Sequence, residues 1–379
     1  MAVSFYVCRP GSIASHPAQA TAPSAMTDLE DTRPDSPVAR LSSAEVRLRA
    51  YRPGDESEIL RLFERCFHVQ RSLEQWNWLY RVNPFGGPWI ELAVDPNDRI
   101  VGHYSGYPVR FHRQFGGGWR DLVASQVGDT MTAPEVRHLG RGPTSLLARL
   151  AATFYARRRA DRVAFSYGFN TGNIHRFSLR YVGARELEEA RQCVLRPARL
   201  AESTRASGRS LRLWGARVEV LDPRDRRLDA LFERVRHGYR YLVRRDAAYL
   251  AWRYGAASGR DYRAFAVTLR GEILGWSVFR REGPRLLWGD ALFDPTATGA
   301  AARLLDHVLE GELGNDLEQV DGWFSRNPPW WSTQLAELGF HVEAEPQALG
   351  FVFVPGLDTD PLPAFRDSLY YTRGDSDLF

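Results

Sequence analysis

The sequence predicts an α/β protein of two consecutive lobes, each a mixed central sheet with helices on both faces. Strand and helix patterns alternate along the chain, and their order repeats after about 170 residues. Residues 46–65 and 216–234 both show an alternating strand, a turn with Pro and Asp, and an amphipathic helix. A chain of 379 residues with 44% hydrophobic residues can fill two such cores.

Further paired segments support the repeat. The segment WNWLYR (76–81) matches LAWRYG (250–255). The glycines that end matching strands and helices are Gly102 with Gly275 and Gly183 with Gly339. The first copy holds roughly 17 extra residues, which fall in the predicted hairpin 109–123. The predicted units are a disordered segment 1–43, a first lobe 44–195, a linker 196–215, a second lobe 216–355 and a tail 356–379.

Composition excludes several classes of protein. A net charge of +4 over 50 basic and 46 acidic residues, without a dense basic run, argues against a nucleic-acid partner. All 50 basic residues are arginine, which is typical of a GC-rich bacterial genome. Cys8, Cys66 and Cys193 have no metal-ligand spacing, so we expect no metal and a reduced compartment. No apolar run is long enough to span a bilayer, and we expect a cytoplasmic protein without a membrane partner.

One motif points to phosphate binding. Arg137, Gly140 and Gly142 form R-x-x-G-x-G between a predicted strand (122–134) and a long amphipathic helix that Pro143 should begin. Glycines let the backbone approach a pyrophosphate, and a helix N-terminus adds N–H donors and partial positive charge. The alternative interpretation is an ordinary helix N-terminus.

The letters of this motif are weak evidence without their context. Chance alone gives about 0.36 matches to R-x-x-G-x-G in a chain of this composition. The same pattern occurs at Arg113, Gly116 and Gly118, where the neighbouring residues predict a plain hairpin turn. Only the match at 137–142 follows a strand and opens a helix, so it is the predicted phosphate site.

These elements, together with the duplication, resemble the GNAT acetyltransferase superfamily over about residues 44–355, as in tandem GNAT proteins. The resemblance implies acetyl-CoA or another acyl-CoA as co-substrate, with its pyrophosphate on the loop and its pantetheine arm along the preceding strand. Asn170 and Asn173 would touch the pantetheine or the following helix. The implied cofactor-binding residues are Thr130, Met131, Thr132, Arg137, His138, Leu139, Gly140, Arg141, Gly142, Thr144, Asn170 and Asn173.

The chain departs from the family pattern at two places. The family's usual general acid is a tyrosine four residues before the helix-ending glycine, but Leu179 and Leu335 occupy that position here. In the second copy, segment 294–305 keeps only Gly299 of the loop glycines. The second lobe is therefore predicted to be degenerate as a cofactor site.

Four residues are candidates for proton transfer. Asp129 lies on the predicted cofactor strand, on the same face as Met131, and could act as a base; a solvated or strand-pairing aspartate is the alternative. Tyr181, like Tyr167, could supply a proton, or could simply pack as an aromatic residue. The resemblance adds Phe379, since in some tandem acetyltransferases the C-terminal carboxylate acts as base.

The predicted function is transfer of an acyl group from acyl-CoA to a primary amine of a small-molecule acceptor by direct attack on the thioester. Two alternatives stay open: a non-catalytic binding or regulatory module, and a transferase of the same fold that uses an acyl-carrier protein or aminoacyl-tRNA as donor. The sequence predicts neither the acceptor nor the oligomeric state.

Overall fold

The computed structural model describes residue 42 and residues 45–196, 213–357 and 360–379. It has two mixed sheets flanked by helices, which confirms the predicted fold class. The predicted disordered segment 1–43, apart from residue 42, and most of the predicted linker 196–215 lie outside the described residues.

Each half of the chain contributes one set of strands and helices in the predicted order. The elements of the first half are β1 Arg47–Ala50, α1 Glu56–Phe67, α2 Leu73–Tyr80, β2 Trp89–Val94, β3 Ile100–Phe115, β4 Gly118–Thr132, α3 Leu146–Ala160, β5 Phe165–Asn170, α4 Gly172–Tyr181, β6 Arg185–Glu189 and β7 Gln192–Leu195. Those of the second half are β8 Arg217–Val220, α5 Arg227–Val235, β9 Tyr241–Val243, α6 Ala247–Tyr254, β10 Arg263–Leu269, β11 Glu272–Glu282, β12 Arg285–Phe293, α7 Ala300–Glu310, β13 Gln319–Trp323, α8 Pro329–Glu337, β14 His341–Glu343, β15 Gly350–Pro355, α9 Leu362–Arg366 and β16 Leu369–Tyr370.

The two lobes exchange their last strands. The main strand order is β1-β2-β3-β4-β5-β15-β6 in one sheet and β14-β7-β13-β12-β11-β10-β8 in the other. Thus β15 of the second half lies between β5 and β6, and β7 of the first half lies between β13 and β14. The expected boundary at residue 195 divides the chain but not the sheets, because each sheet needs a strand from the other half to satisfy its backbone hydrogen bonds.

The extra segment of the first half is a long hairpin. Gly116 and Gly117, with φ of 46° and 86°, form the two-residue turn between β3 and β4. Positive φ at both positions is what a type I′ hairpin turn requires, so the second match to the glycine motif is confirmed as a plain turn. Farther down the hairpin, β3 pairs with β9 of the second half.

The lobes also meet through matching helices. The indole N–H of Trp78 on α2 donates to the carbonyl oxygen of Trp252 on α6 at 2.5 Å. The indole N–H of Trp252 in turn donates to the carbonyl oxygen of Trp78 at 2.8 Å. Their rings stack with centroids 6.0 Å apart. This reciprocal contact relates the two lobes by an approximate two-fold axis.

Helices cover both faces of the first sheet. Tyr80 of α2 contacts the Ser105 hydroxyl of β3 at 2.8 Å on one face. On the other face, Leu150 and Phe154 of α3 lie against glycines of β3, where an added Cβ would come within 2.9 and 3.0 Å of them. Because β3 alternates its faces, α2 and α3 lie on opposite sides of the sheet.

Candidate functional site

The central feature of the first lobe is a gap between β4 and β5. The two parallel strands pair at Ser125 with Ser166 and at Gln126 with Tyr167, and then part. β4 continues to Thr132, and no described strand pairs with it on that edge. Its backbone N–H and C=O groups beyond Gln126 are therefore open to an extended ligand that can pair with them.

A β-bulge lies beside this gap. Ser105 pairs with Gly128 and His103 pairs with Met131, so two residues of β4 face one of β3. Asp129, within the bulge, has a φ of 50°, a conformation that non-glycine residues rarely adopt. Bulges re-aim backbone and side-chain groups and are common next to active sites.

The glycine loop lies at the end of the same strand. Gly140 and Gly142 have φ of 72° and 57°. A Cβ at position 140 would lie 2.2 Å from the carbonyl oxygen of Thr144, so this turn requires glycine. Within the described residues, the amides of His138, Gly140 and Gly142 donate no hydrogen bond. A loop with free N–H donors before a helix N-terminus suits an anion such as a pyrophosphate.

The helix after the loop begins later than the sequence predicted. Pro143 lies in a short 3₁₀ turn, and α3 begins at Leu146. Ser145 is the N-cap, and its hydroxyl accepts from the amide of Ala148 at 3.3 Å. The delay leaves residues 138–144 as a loop that projects from the strand end.

The predicted loop residues fall into two groups. Four side chains are exposed around the loop: Arg137, His138, Arg141 and Thr144. The Arg137 guanidinium donates through Nε to the carbonyl oxygen of Thr132 at 3.2 Å, which holds it beside the end of β4. Leu139 is buried and anchors the loop to the core. On β4 itself, Met131 is buried, whereas Thr130 and Thr132 are half-buried.

The two predicted asparagines contact the helix that follows β5. The Asn170 amide donates to the Ser178 hydroxyl at 3.0 Å, and the Asn173 side-chain oxygen accepts from Arg176 at 2.5 Å. Both partners lie on α4. The Asn170 contact therefore holds α4 against the end of β5, whereas the Asn173 contact is internal to α4.

Tyr181 lies at the loop. A Cβ at Gly142 would come within 3.4 Å of its ring, and the side chain is partly exposed. Leu179, on the same helix, is partly exposed too. Tyr167 is buried, donates to Gln126 Oε1 at 3.3 Å, and burial raises its pKa well above the usual value. Of these two tyrosines, only Tyr181 borders the open loop.

The Asp129 carboxylate is buried and already engaged. Arg71 forms a two-point ion pair with it, with Nη2 3.0 Å from Oδ1. The Tyr80 hydroxyl donates to Oδ2 at 2.8 Å. Burial alone would raise the pKa of Asp129, but the adjacent Arg71 guanidinium and these hydrogen bonds outweigh it and lower the pKa. A carboxylate held in this way has little tendency to accept a proton.

The end of the chain inserts between the two lobes. The Phe379 ring is fully buried in the second lobe, where a Cβ at Gly289 would lie 1.8 Å from it. The backbone oxygen of Phe379 accepts from Arg253 at 3.0 Å. Two residues earlier, the Asp377 side chain points to the first lobe, where a Cβ at Gly128 would lie 2.9 Å from its Oδ2.

Sequence reasoning did not identify Asp377 as a site residue. Its place beside the bulge depends on a contact between residues about 250 positions apart, which no local pattern encodes. Burial and the nearby Asp129 carboxylate raise the pKa of Asp377 to about 6. The sequence shows only that Asp377 is an acidic residue in a polar and aromatic tail, which does not indicate where its side chain lies.

The corresponding loop of the second lobe is closed by its own side chains. The buried Asp294 carboxylate accepts from the amide and the hydroxyl of Thr296 at 2.9 and 2.6 Å. Arg234 donates to it at 3.0 Å. An acidic group therefore occupies the position in front of α7, where an anionic ligand would be repelled.

The described part of the chain contains no group of three or more His, Cys, Asp or Glu that could hold a metal ion. Among the same residues, no helix has both the length and the apolar character needed to cross a membrane.

Comparison with known proteins agrees with this geometry. Residues 47–178 match the family model of the GNAT acetyltransferase domain. No curated protein matches the chain. A probable N-acyltransferase from Enterococcus faecalis V583, described as a conserved protein of unknown function, has a TM-score of 0.60 at 12% identity, with 82% of this chain and 72% of the other covered.

Two further solved structures are similar. A GCN5-related N-acetyltransferase from Kribbella flavida has a TM-score of 0.57 at 18% identity, with 81% of this chain and 70% of the other covered. One from Anabaena variabilis has a TM-score of 0.57 at 10% identity, with coverages of 81% and 72%. At such identities the likeness shows a shared fold. Residues 47–178, which lie in the first lobe, are thus similar to a GNAT acetyltransferase domain, and the whole chain shares its fold with these N-acyltransferases.

Proposed function

We propose that the first lobe transfers an acyl group from acyl-CoA, in the simplest case acetyl-CoA, to a primary amine of a small molecule. The observation that carries this proposal is the gap between β4 and β5 directly beside a glycine loop with free amides. A ligand with a pyrophosphate at one end and an extended, amide-containing arm at the other matches both features.

The proposed roles follow from the placement of the residues. The free amides of His138, Gly140 and Gly142, with Arg137 beside them, would bind the pyrophosphate. The free edge of β4 at Thr130–Thr132 would pair with the pantetheine arm and bring the thioester towards the bulge. Backbone N–H groups there would stabilise the negative charge that develops on the thioester oxygen.

The amine acceptor would approach from the face covered by α1 and α2. Asp129, Arg71 and Tyr80 lie on that face. We propose that the ionised Asp129 carboxylate at the bulge fixes the positions of Arg71 and Tyr80, which form this wall of the cleft. Tyr181 borders the loop that would bind the pyrophosphate, a pantetheine arm away from the thioester, so we propose that water gives the departing thiolate its proton.

Two measurements on the full chain test the proposal. Calorimetry should show binding of CoA and acetyl-CoA, and Arg137→Ala should weaken binding about 5- to 20-fold, because it removes a charge-assisted contact to phosphate. Thiol release from acetyl-CoA should then depend on addition of an amine from a panel of amino sugars and amino acids.

The outcomes separate the alternatives. No binding at millimolar CoA would contradict the cofactor assignment and favour a carrier-protein donor or a binding module. Binding without amine-dependent thiol release across the panel would indicate an acyl-CoA sensor. An exposed arginine outside the loop, Arg61, provides a matched control; Arg61→Ala should leave CoA affinity unchanged.

A further inference from the structure

We infer that the Asp377 carboxylate is the general base of the first lobe and takes the proton from the attacking amine. The inference rests on the proposed function. Three features of the structure support it: the fixed position of Asp377, a carboxylate to which no other described residue donates, and the charges around it.

The position of Asp377 is fixed by the backbone of the tail. Arg253 on α6, which is buried, donates to the carbonyl oxygens of Gly374, Ser376 and Phe379 at 3.1, 2.7 and 3.0 Å. Arg260 donates to the carbonyl oxygen of Asp377 itself at 3.3 Å. These contacts hold the Asp377 side chain against Gly128, at the point where β4 parts from β5.

The two carboxylates at the bulge differ in what they already bind. Asp129 accepts hydrogen bonds from Arg71 and Tyr80. Within the described residues, the half-buried Asp377 carboxylate accepts a hydrogen bond from its own backbone N–H, and no other residue donates to it. Its remaining lone pairs are therefore free to meet an amine in the cleft.

The surroundings of Asp377 make it a base suited to neutral pH. The charged and titratable groups that face it are Asp129 on β4, Arg71 before α2, Tyr107 on β3, and Arg253 and Arg260 on and after α6. Burial and repulsion by Asp129 exceed the attraction of the arginines, so the pKa of Asp377 rises to about 6. A general base is most effective when its pKa lies near the working pH.

The chemical step balances without further reactants. The amine nitrogen forms a bond to the thioester carbon, and its proton passes to the Asp377 carboxylate. The carbon–sulfur bond then breaks, and the thiolate takes a proton from water. The products are the amide and free CoA, and Asp377 returns its proton to solvent.

The test uses the full chain with an amine that the wild type acylates. Asp377→Asn keeps the shape of the side chain and removes its basicity, so kcat/KM should fall about 10²- to 10⁴-fold while CoA affinity stays nearly unchanged. Wild-type kcat/KM should fall below about pH 6, where Asp377 becomes protonated. This acid limb should disappear in Asp377→Asn and return in Asp377→Glu.

Asp367→Asn is the matched control, because Asp367 is an exposed acid in the same tail. It should retain wild-type activity and the acid limb. If Asp377→Asn keeps full activity and an unchanged acid limb, the inference is overturned but the proposed function is not. No transfer by wild type would overturn the proposed function, and the inference with it. If Asp377→Asn fails to fold, Asp377→Glu decides: its acid limb should persist, and loss of that limb with retained activity would overturn the inference.

Discussion

The two lobes have the same three side chains at the same point of their sheets. The matching pairs are Arg71 with Arg245, Tyr80 with Tyr254, and Asp129 with Asp290. In each lobe the arginine and the tyrosine hold the aspartate at the bulge of the central strand. This shared arrangement supports the fold of both lobes, so its presence alone does not mark a site.

The lobes differ in what lies in front of these groups. In the second lobe, Arg245 and Asp290 are fully buried, a second carboxylate (Asp375) joins them, and the Phe379 ring covers Gly289. In the first lobe, the position that matches Gly289 faces a half-buried carboxylate instead of a ring. The same scaffold is thus filled in one lobe and left open in the other.

The largest expected effect concerns the strands that the two lobes exchange, β7 and β15. A chain limited to residues 45–196 lacks β15, and one limited to 213–379 lacks β7. Each sheet would then have an unpaired gap between two strands, and we expect neither piece to fold alone. Circular dichroism and solubility of the two pieces check this. A cooperative thermal transition in either piece would show that the exchange is dispensable.

The glycine loops should differ most in ligand binding. Gly140→Asp should abolish CoA binding, a loss of at least about 100-fold, because the new Cβ would meet the Thr144 oxygen and the new charge would repel phosphate. The matched variant Gly299→Asp in the second lobe should leave CoA affinity unchanged, at a stability cost of about 1 kcal/mol for its positive φ. Equal losses in the two variants, measured by calorimetry, would contradict the difference between the loops.

Changes to the buried arginines should affect stability more in the second lobe than in the first. Arg245→Gln leaves Asp290 and Asp375 buried without their cation and should cost about 3–5 kcal/mol in free energy of unfolding. Arg71→Gln should cost less, about 1–2 kcal/mol, because Arg71 is 18% exposed and water can reach Asp129 from the cleft. Urea denaturation of both variants measures the difference. A larger loss for Arg71→Gln would show that the first lobe is the more tightly packed one.

The smallest expected effect is a pH-dependent increase in thermal stability when Asp377 is replaced by Asn. Its pKa rises to about 6 in the folded protein, so the folded state binds this proton more tightly than the unfolded state. Stability from this group is present at low pH and is lost as pH rises through about 6. Asp377→Asn should therefore raise Tm by about 1–4 °C at pH 8 and have little effect at pH 4. A lowered Tm at pH 8 would mean that the charged carboxylate stabilises the fold.

Much of the first-lobe site could be predicted from local sequence. The repeat predicted two lobes, and the strand–glycine loop–helix pattern predicted the loop because each part depends on neighbouring residues. Extending the match between 76–81 and 250–255 upstream by five residues would also have paired Arg71 with Arg245.

The rest depends on contacts between distant parts of the chain. The exchange of β7 and β15 cannot be inferred from strand patterns, because a strand fits either sheet equally well by its own residues. The place of the tail is similar: nothing near Asp377 and Phe379 shows that one faces the first lobe and the other fills the second. The strand pattern makes Asp129 a candidate base by its position, but the ion pair that engages it comes from Arg71, which lies outside that strand.

The most direct test of the central claim is the stoichiometry of acetyl-CoA binding to the full chain. Isothermal titration calorimetry should give one site per chain, because in the described part of the chain only the first lobe has an open glycine loop beside an unpaired strand edge. The single site should vanish in Gly140→Asp. Two sites per chain, or one site that survives Gly140→Asp, would place a functional cofactor site in the second lobe and contradict the account.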